Sequence, residues 1–149
     1  MFNTTTPWIF IVDDDQDDME MLSNALQEHR TRILTFKSGP QMLSYLEKCT
    51  DLYELPSLII LDYSMPLMNG LETLIRVKKI ECIEPIPVLI YSTTINELLR
   101  KTALDFGACA SESKAMNVEE LKSKSGKFAN IAYSFMSDCR RINVDRAFG

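Results

Sequence analysis

Residues 8–15 read WIFIVDDD: five aromatic or β-branched residues stopped by three aspartates. A run that is short, continuous and branched is a strand buried on both faces. From Asp17 the apolar spacing turns helical, with Met19, Leu22, Ala25 and Leu26 on one face. Asp17 and Asp18 suit a first helical turn, where carboxylates meet the positive end of the dipole. The alternation then repeats. Ile33–Phe36 predicts a second strand, and Met42, Leu43, Tyr45 and Leu46 a helix behind the Ser38-Gly39-Pro40 turn. Leu58–Leu61 predicts a third strand ending at Asp62, followed beyond Asn69-Gly70 by a helix carrying Leu71, Leu74, Ile75 and Val77. Val88–Tyr91 predicts a fourth strand running into Ser92-Thr93, then a helix over Asn96–Phe106 with Gly107 at its C-terminal cap. A weak fifth strand, Ala108–Ser111, leads past Lys114 to a last helix from about Asn117 to Met136, leaving Arg140–Gly149 as a ragged tail. Strands alternating with helices in this way predict an α/β parallel sheet covered on both faces.

The composition agrees with one globular domain. At 149 residues the chain is about one domain long, and 46% hydrophobic with 25% charged residues is ordinary for that class. No apolar run approaches the ~20 residues of a membrane-spanning helix. Cys49, Cys82, Cys109 and Cys139 stand 33, 27 and 30 residues apart, and the chain holds 1 histidine. Neither a C-x-x-C pair nor a zinc set emerges, so the reading is free thiols in a reducing cytoplasm. The absence of a basic residue before Arg30 points the same way, to a chain without a secretory leader. The net charge of −5 is unevenly placed, with seven acids and no Lys or Arg in residues 1–29. An acidic chain argues against sequence-independent nucleic-acid binding, which depends on neutralising phosphates. Neither nucleic acid nor a membrane is expected as a partner.

Ligands of open α/β sheets bind beyond the carboxyl ends of the strands. Those ends carry Asp13 and Asp14 on strand 1, Asp62 on strand 3, Ser92 on strand 4 and Lys114 beyond strand 5. Clustered carboxylates repel unless a cation joins them. Magnesium, a hard ion served by few carboxylates and several waters, is the natural candidate. A hydroxyl and an ammonium beside it suit an oxyanion such as a phosphoryl group. Asp15, Asp17 and Asp18 are read as a solvated helix start. Two other metal or phosphate motifs fail. An EF-hand would place Gly where Asp18 stands and Glu where Asn24 stands, and no G-x-x-x-x-G-K-[ST] loop exists.

Four segments in order, IVDDD (11–15), LDYSMPLMNG (61–70), PVLIYST (87–93) and GACASESK (107–114), resemble the receiver domain of bacterial two-component response regulators. Among these CheY-like domains the chain looks most like stand-alone receivers of the phytochrome-associated kind. The resemblance implies a flavodoxin-like, doubly wound sheet of five parallel strands in the order 2-1-3-4-5 with five helices. It implies a lead-in over 1–7, a receiver domain over 8–137 and a tail over 138–149. By position, Asp62 would accept the phosphoryl group. Magnesium would bind Asp14 directly, Asp13 through water, and Asp62 and the Ser64 carbonyl as further ligands. Ser92 would be the switch hydroxyl and Lys114 the partner of Asp62 and then of the phosphate.

The implied function is that of a phosphorelay module in a bacterial cytoplasm, not a turnover enzyme apart from self-catalysed phosphorylation and dephosphorylation. Its partners would be a sensor histidine kinase or phosphotransfer protein, an unidentified downstream protein, and in one reading a second copy of the chain. About 120 residues make a receiver, so the expectation is one without an effector domain. The chain departs from the family pattern at Ala115, where proline usually follows the lysine, and at Ser111, where an aromatic is usual. A degenerate receiver that binds partners constitutively is therefore the alternative. A haloacid dehalogenase-type phosphatase is disfavoured, because its D-x-D belongs on the first strand. Since a non-proline cis bond costs ~2.5–4 kcal/mol, the Lys114–Ala115 bond is expected to be trans. The polar fifth strand is expected to anchor the following loop weakly and leave Lys114 away from Asp62.

Overall fold

The computed structural model describes residues 6–51 and 54–148, with side chains as far as 139. Most of the expected lead-in therefore lies outside the described residues. The elements alternate strictly: β1 (Trp8–Val12), α1 (Gln16–Gln27), β2 (Arg32–Phe36), α2 (Gly39–Lys48), β3 (Leu58–Leu61), α3 (Gly70–Val77), β4 (Val88–Ser92), α4 (Glu97–Asp105), β5 (Ala110–Ser113) and α5 (Val118–Phe148). All strand pairs are parallel, in the order β2-β1-β3-β4-β5. This is the sheet expected from the sequence.

Right-handed crossovers explain which helix covers which face. The step from β1 to β2 runs one way along the sheet, while β2 to β3, β3 to β4 and β4 to β5 all run the other way. One handedness thus puts α1 on one face and α2, α3 and α4 on the opposite face. The two cores follow from the period of two along each strand. Phe10, Val12, Ile59, Leu61, Val88 and Ile90 pack with Met42, Leu46, Leu74, Val77 and Ala103. Ile9, Ile11, Leu58, Ile60, Leu89 and Tyr91 pack with Met19, Leu22, Leu26 and, from α5, Phe128, Ala129 and Ala132. The chain reverses its direction of travel between β1 and β3, so a crevice opens where their carboxyl ends diverge.

Side-chain caps set the helix starts. Asp15 accepts hydrogen bonds from the Asp17 and Asp18 amides, Ser38 from Gln41, Asn69 from Glu72 and Asn96 from Leu99. Each satisfies a donor that the first helical turn leaves open.

Two boundaries differ from the sequence reading. The fifth strand runs over Ala110–Ser113, two residues later than expected, because the cap of α4 consumes the preceding residues. Gly107 has φ +102°, and the Gly107 and Ala108 amides donate back to Leu104 and Ala103 at 3.0 and 2.9 Å. The expected ragged tail is also corrected, since α5 continues to Phe148 over 31 residues. Apolar periodicity fades before that point, but no proline follows Pro87 and Gly126 is the sole glycine within the helix. Nothing in the sequence stops it. The Lys114–Ala115 bond is trans, as expected, and no peptide bond among the described residues is cis.

One glycine ties the fold to the carboxyl end of β3. A Cβ on Gly70 would lie 2.3 Å from the Asp62 carbonyl oxygen and 2.9 Å from the Tyr63 Cα, both backbone atoms. Gly70→Ala should therefore destabilise the protein by about 1–3 kcal/mol in urea unfolding, as overpacking does, even though alanine is the better helix former. Unchanged or increased stability would show that α3 shifts away from Asp62 without cost.

Candidate functional site

Asp13 and Asp62 are the first residues past β1 and β3, and the sheet ladder carries on through both. The Asp13 amide donates to Phe36 O at 3.1 Å and the Asp62 amide to Val12 O at 2.9 Å. Their side chains are thereby fixed in neighbouring positions, and both residues are buried, at 4% and 6% exposure. Asp14 is exposed beside them. Carboxylate oxygens of Asp13, Asp14 and Asp62 all lie within 4.8 Å of one another, close enough to share one cation. Asp13 Oδ1 also accepts from the Asp15 amide at 2.9 Å, which sets the carboxylate's orientation.

Lys114 enters this group from the opposite edge. Its Nζ lies 2.7 Å from Asp13 Oδ2, 2.7 Å from Asp18 Oδ2 and 3.6 Å from Asp62 Oδ2. The expectation that Lys114 stands off Asp62 is corrected in part: the ammonium is within ion-pair distance of Asp62, while its hydrogen bonds go to Asp13 and Asp18. The loop after β5 is anchored despite its polarity: the Lys114 amide extends the ladder to Ser92 O at 3.0 Å, and the Ala115 amide donates to Tyr91 Oη at 2.9 Å. Asp18, read as solvated, is a direct partner of the ammonium. Ser92 is fully buried at the end of β4, and its Oγ finds no hydrogen-bond partner among the described residues. Ser64 lies exposed two residues beyond Asp62.

The titration of these groups follows from burial. Desolvation pushes the Asp13 carboxyl up to about 6; hydrogen bonds from Lys114 and the Asp15 amide oppose this, and the charge of Asp62 adds to it. Desolvation works against the Lys114 ammonium, but its bonds to Asp13 and Asp18 and the charges of Asp13 and Asp62 outweigh it and raise its pKa overall. Three carboxylates, of Asp13, Asp18 and Asp62, thus face one ammonium, with Asp13 and Asp62 buried and Asp18 partly exposed.

Four residues of this neighbourhood were not legible as such. Asp18 needed the third dimension to meet Lys114. Gly70 read only as loop punctuation. Tyr91 read only as the end of an apolar strand. Ser111 is buried on β5, and its carbonyl accepts from Arg100 Nη1 of α4 at 2.5 Å.

Comparison with known proteins gives a consistent result. The family model for the response regulator receiver domain matches residues 9–125. The two-component response regulator ORR12 of Oryza sativa subsp. japonica is 36% identical over 105 residues, covering 70% of this chain and 83% of that protein. An uncharacterised 14.6 kDa protein of Leptolyngbya boryana is 31% identical, covering 66% and 72%. Among solved structures, the phosphorylated cyanobacterial phytochrome response regulator RcpA superposes with a TM-score of 0.72 at 26% identity, covering 82% of this chain and 90% of that one. The Mn(2+)-bound response regulator Rcp1 gives 0.70 at 22% identity, over 81% and 90%, and shares the fold. With rice proteins among the relatives, the similarity extends beyond the bacterial setting read from the sequence.

The raised Asp13 pKa has a pH consequence. Between 3.8 and about 6 the folded protein holds a proton on Asp13 that the unfolded chain releases, so stability falls as pH rises through that window. Asp13→Asn abolishes this contribution. Its stability relative to wild type should therefore increase between pH 3.8 and about 6 in metal-free urea unfolding. A difference independent of pH would show that Asp13 titrates normally.

Proposed function

The chain belongs to the response regulator receiver domain family, and we propose that it works in a two-component phosphorelay by accepting a phosphoryl group on Asp62. The observation that carries the proposal is the convergence of the Asp13, Asp14 and Asp62 carboxylates within 4.8 Å of one another, with the Lys114 ammonium among them. A degenerate receiver has no need of this arrangement.

The donor set fits a divalent cation. It is all oxygen, its carboxylates are close together, and desolvation raises the Asp13 pKa to about 6, a cost that a bound cation would offset. Asp13, Asp14, Asp62 and the Ser64 carbonyl would hold magnesium, which supplies charge neutralisation for an incoming phosphoryl group. In the transfer, an Asp62 carboxylate oxygen bonds to the phosphorus of a phosphohistidine while the phosphorus–nitrogen bond breaks, releasing the imidazole of the kinase or phosphotransfer protein. Phosphoryl transfer demands alignment and charge stabilisation more than covalent participation. Lys114, already 3.6 Å from Asp62, supplies a fixed positive charge. Ser92 supplies a buried hydroxyl whose hydrogen-bonding capacity is otherwise unused among the described residues.

The outcome is a modified signalling module that binds a downstream protein when phosphorylated. The added charge can bias a two-state element through local electrostatics. The single-domain reading draws support from relatives such as the rice protein, of which the match covers 83%. A cytoplasmic setting belongs to the same proposal and accords with four free cysteines.

Acetyl phosphate with magnesium, followed by intact mass, is the test. One phosphoryl group should be added to wild type and none to Asp62→Asn; persistent labelling of that variant would remove Asp62 as the acceptor. In a separate titration, Asp14→Ala should weaken magnesium binding by about tenfold or more, the usual scale for losing a charged ligand interaction. Wild-type affinity in that variant would place the metal elsewhere.

A further inference from the structure

Three successive amides carry the chain from β5 towards α5, and each is bound differently. Lys114 N–H donates to the Ser92 backbone, Ala115 N–H to the Tyr91 hydroxyl at 2.9 Å, and Met116 N–H to the Glu120 carboxylate at 2.8 Å. The middle bond is the unusual one. It reaches from a strand side chain through the α1–α5 side of the sheet to the backbone beside Lys114. Tyr91 is 5% exposed, and its ring is held edge-on against Phe128 with centroids 5.4 Å apart and planes at 81°. A ring so packed has little freedom, so its hydroxyl is a fixed point. Burial also raises its pKa, which keeps the phenol neutral.

We propose that Tyr91 is a positioning residue for Lys114: its hydroxyl pins the Lys114–Ala115 peptide, and the pinned peptide sends the lysine side chain in between Asp13, Asp18 and Asp62. The proposal deepens the reading of Asp62 as phosphoacceptor and rests on it for its functional consequence. The geometry gives the reason. A lysine side chain has four rotatable carbons, and the position of its ammonium depends on where its Cα is held. The ladder bond from Lys114 N–H fixes one side of that Cα, and the Ala115 N–H bond to Tyr91 fixes the other. Neither bond alone defines the direction in which the side chain leaves. Proline at 115 would have no N–H to give, so this anchor requires a residue such as Ala115 there.

The acidic partners alone do not replace this anchor. Asp18 is partly exposed, with its side chain at 38%, whereas Asp13 is at 6%. An ammonium released from its backbone restraint can follow Asp18 outward into water, away from Asp62. Tyr91 therefore controls how far the positive charge is committed to the phosphoryl-accepting carboxylate, without touching it.

The test uses the full chain and Tyr91→Phe, which keeps the ring on Phe128 and deletes the acceptor oxygen. The first readout is independent of phosphorylation: the acylation rate of the Lys114 amine by acetic anhydride, followed by peptide mass. It should rise about five- to tenfold, the scale set by one lost hydrogen bond. The second is phosphorylation by acetyl phosphate. Its maximal rate should fall by a similar factor while the magnesium concentration at half-saturation stays within about twofold, a split that general loosening of the site would not produce. Ala115→Pro removes the bond from its other end and should give the same change in Lys114 reactivity.

In wild type, exchange of the Ala115 amide should be slowed by about tenfold or more relative to an unstructured peptide. An unprotected Ala115 amide, or Lys114 reactivity within about twofold of wild type in Tyr91→Phe, overturns the proposal. Absence of phosphorylation in wild type itself would defeat the functional reading instead, and the Lys114 and amide readouts would still decide the role of Tyr91.

Discussion

The Lys114 ammonium, set among the carboxylates of Asp13, Asp18 and Asp62, is the interaction on which the functional end of this molecule depends. Removing charges from water is costly, and a buried ion pair is a weak source of stability unless its geometry is good and its remaining valences are met. Here they are not all met. One cation serves several acids, Asp13 is pushed towards protonation, and a buried serine hydroxyl stays unengaged among the described residues. A structure optimised for stability alone would replace such a cluster with apolar side chains. The arrangement makes sense as a site that gains more from binding a divalent cation and an oxyanion than it loses by waiting for them.

The sheet delivers these groups without any dedicated scaffold. Because β1 and β3 are adjacent and parallel, Asp13 and Asp62 emerge at the same level and side by side. Because the order of travel reverses at β1, α1 and α3 splay to opposite faces and leave the crevice open. Because β4 and β5 pair through Ser92 and Ser113, the next residue, Lys114, leaves the edge at the same rim. Gly70 completes the construction by letting the start of α3 lie against the Asp62 backbone. The two apolar cores hold this frame, and the charged rim sits on top of it.

Much of this was legible in the chain. The runs at 8–12 and 58–61 coincide with β1 and β3, since two-sided burial leaves a continuous apolar signature and aspartate ends it sharply. Asp13, Asp14 and Asp62 came together as read. What stayed hidden depended on contacts across the fold. The start of β5 was misread because backbone bonds of the α4 cap, not side-chain hydropathy, decide where that strand begins. The length of α5 was misread because a helix persists until something breaks it, and faded amphipathicity breaks nothing. The position of Lys114 is hidden because a polar strand carries no apolar signal of how its loop is anchored. The loop is anchored by the Ser92 carbonyl and by the hydroxyl of Tyr91, a residue whose sequence context announces only burial. Asp18 looked solvated because its neighbours on α1 are, and only the approach of Lys114 gives it a partner.

The central claim is that the acidic cluster exchanges part of its hold on Lys114 for a metal and a phosphoryl group at Asp62. A crystal structure of the full chain with magnesium and beryllofluoride tests it most directly. The account predicts magnesium on the Asp13, Asp14 and Asp62 side of the crevice, beryllofluoride on an Asp62 oxygen, the Ser92 hydroxyl donating to a fluoride, and Lys114 turned from Asp18 towards the fluorides. Beryllofluoride absent from Asp62 under saturating magnesium, or Lys114 still on Asp18 with the fluorides met by other groups, would contradict it.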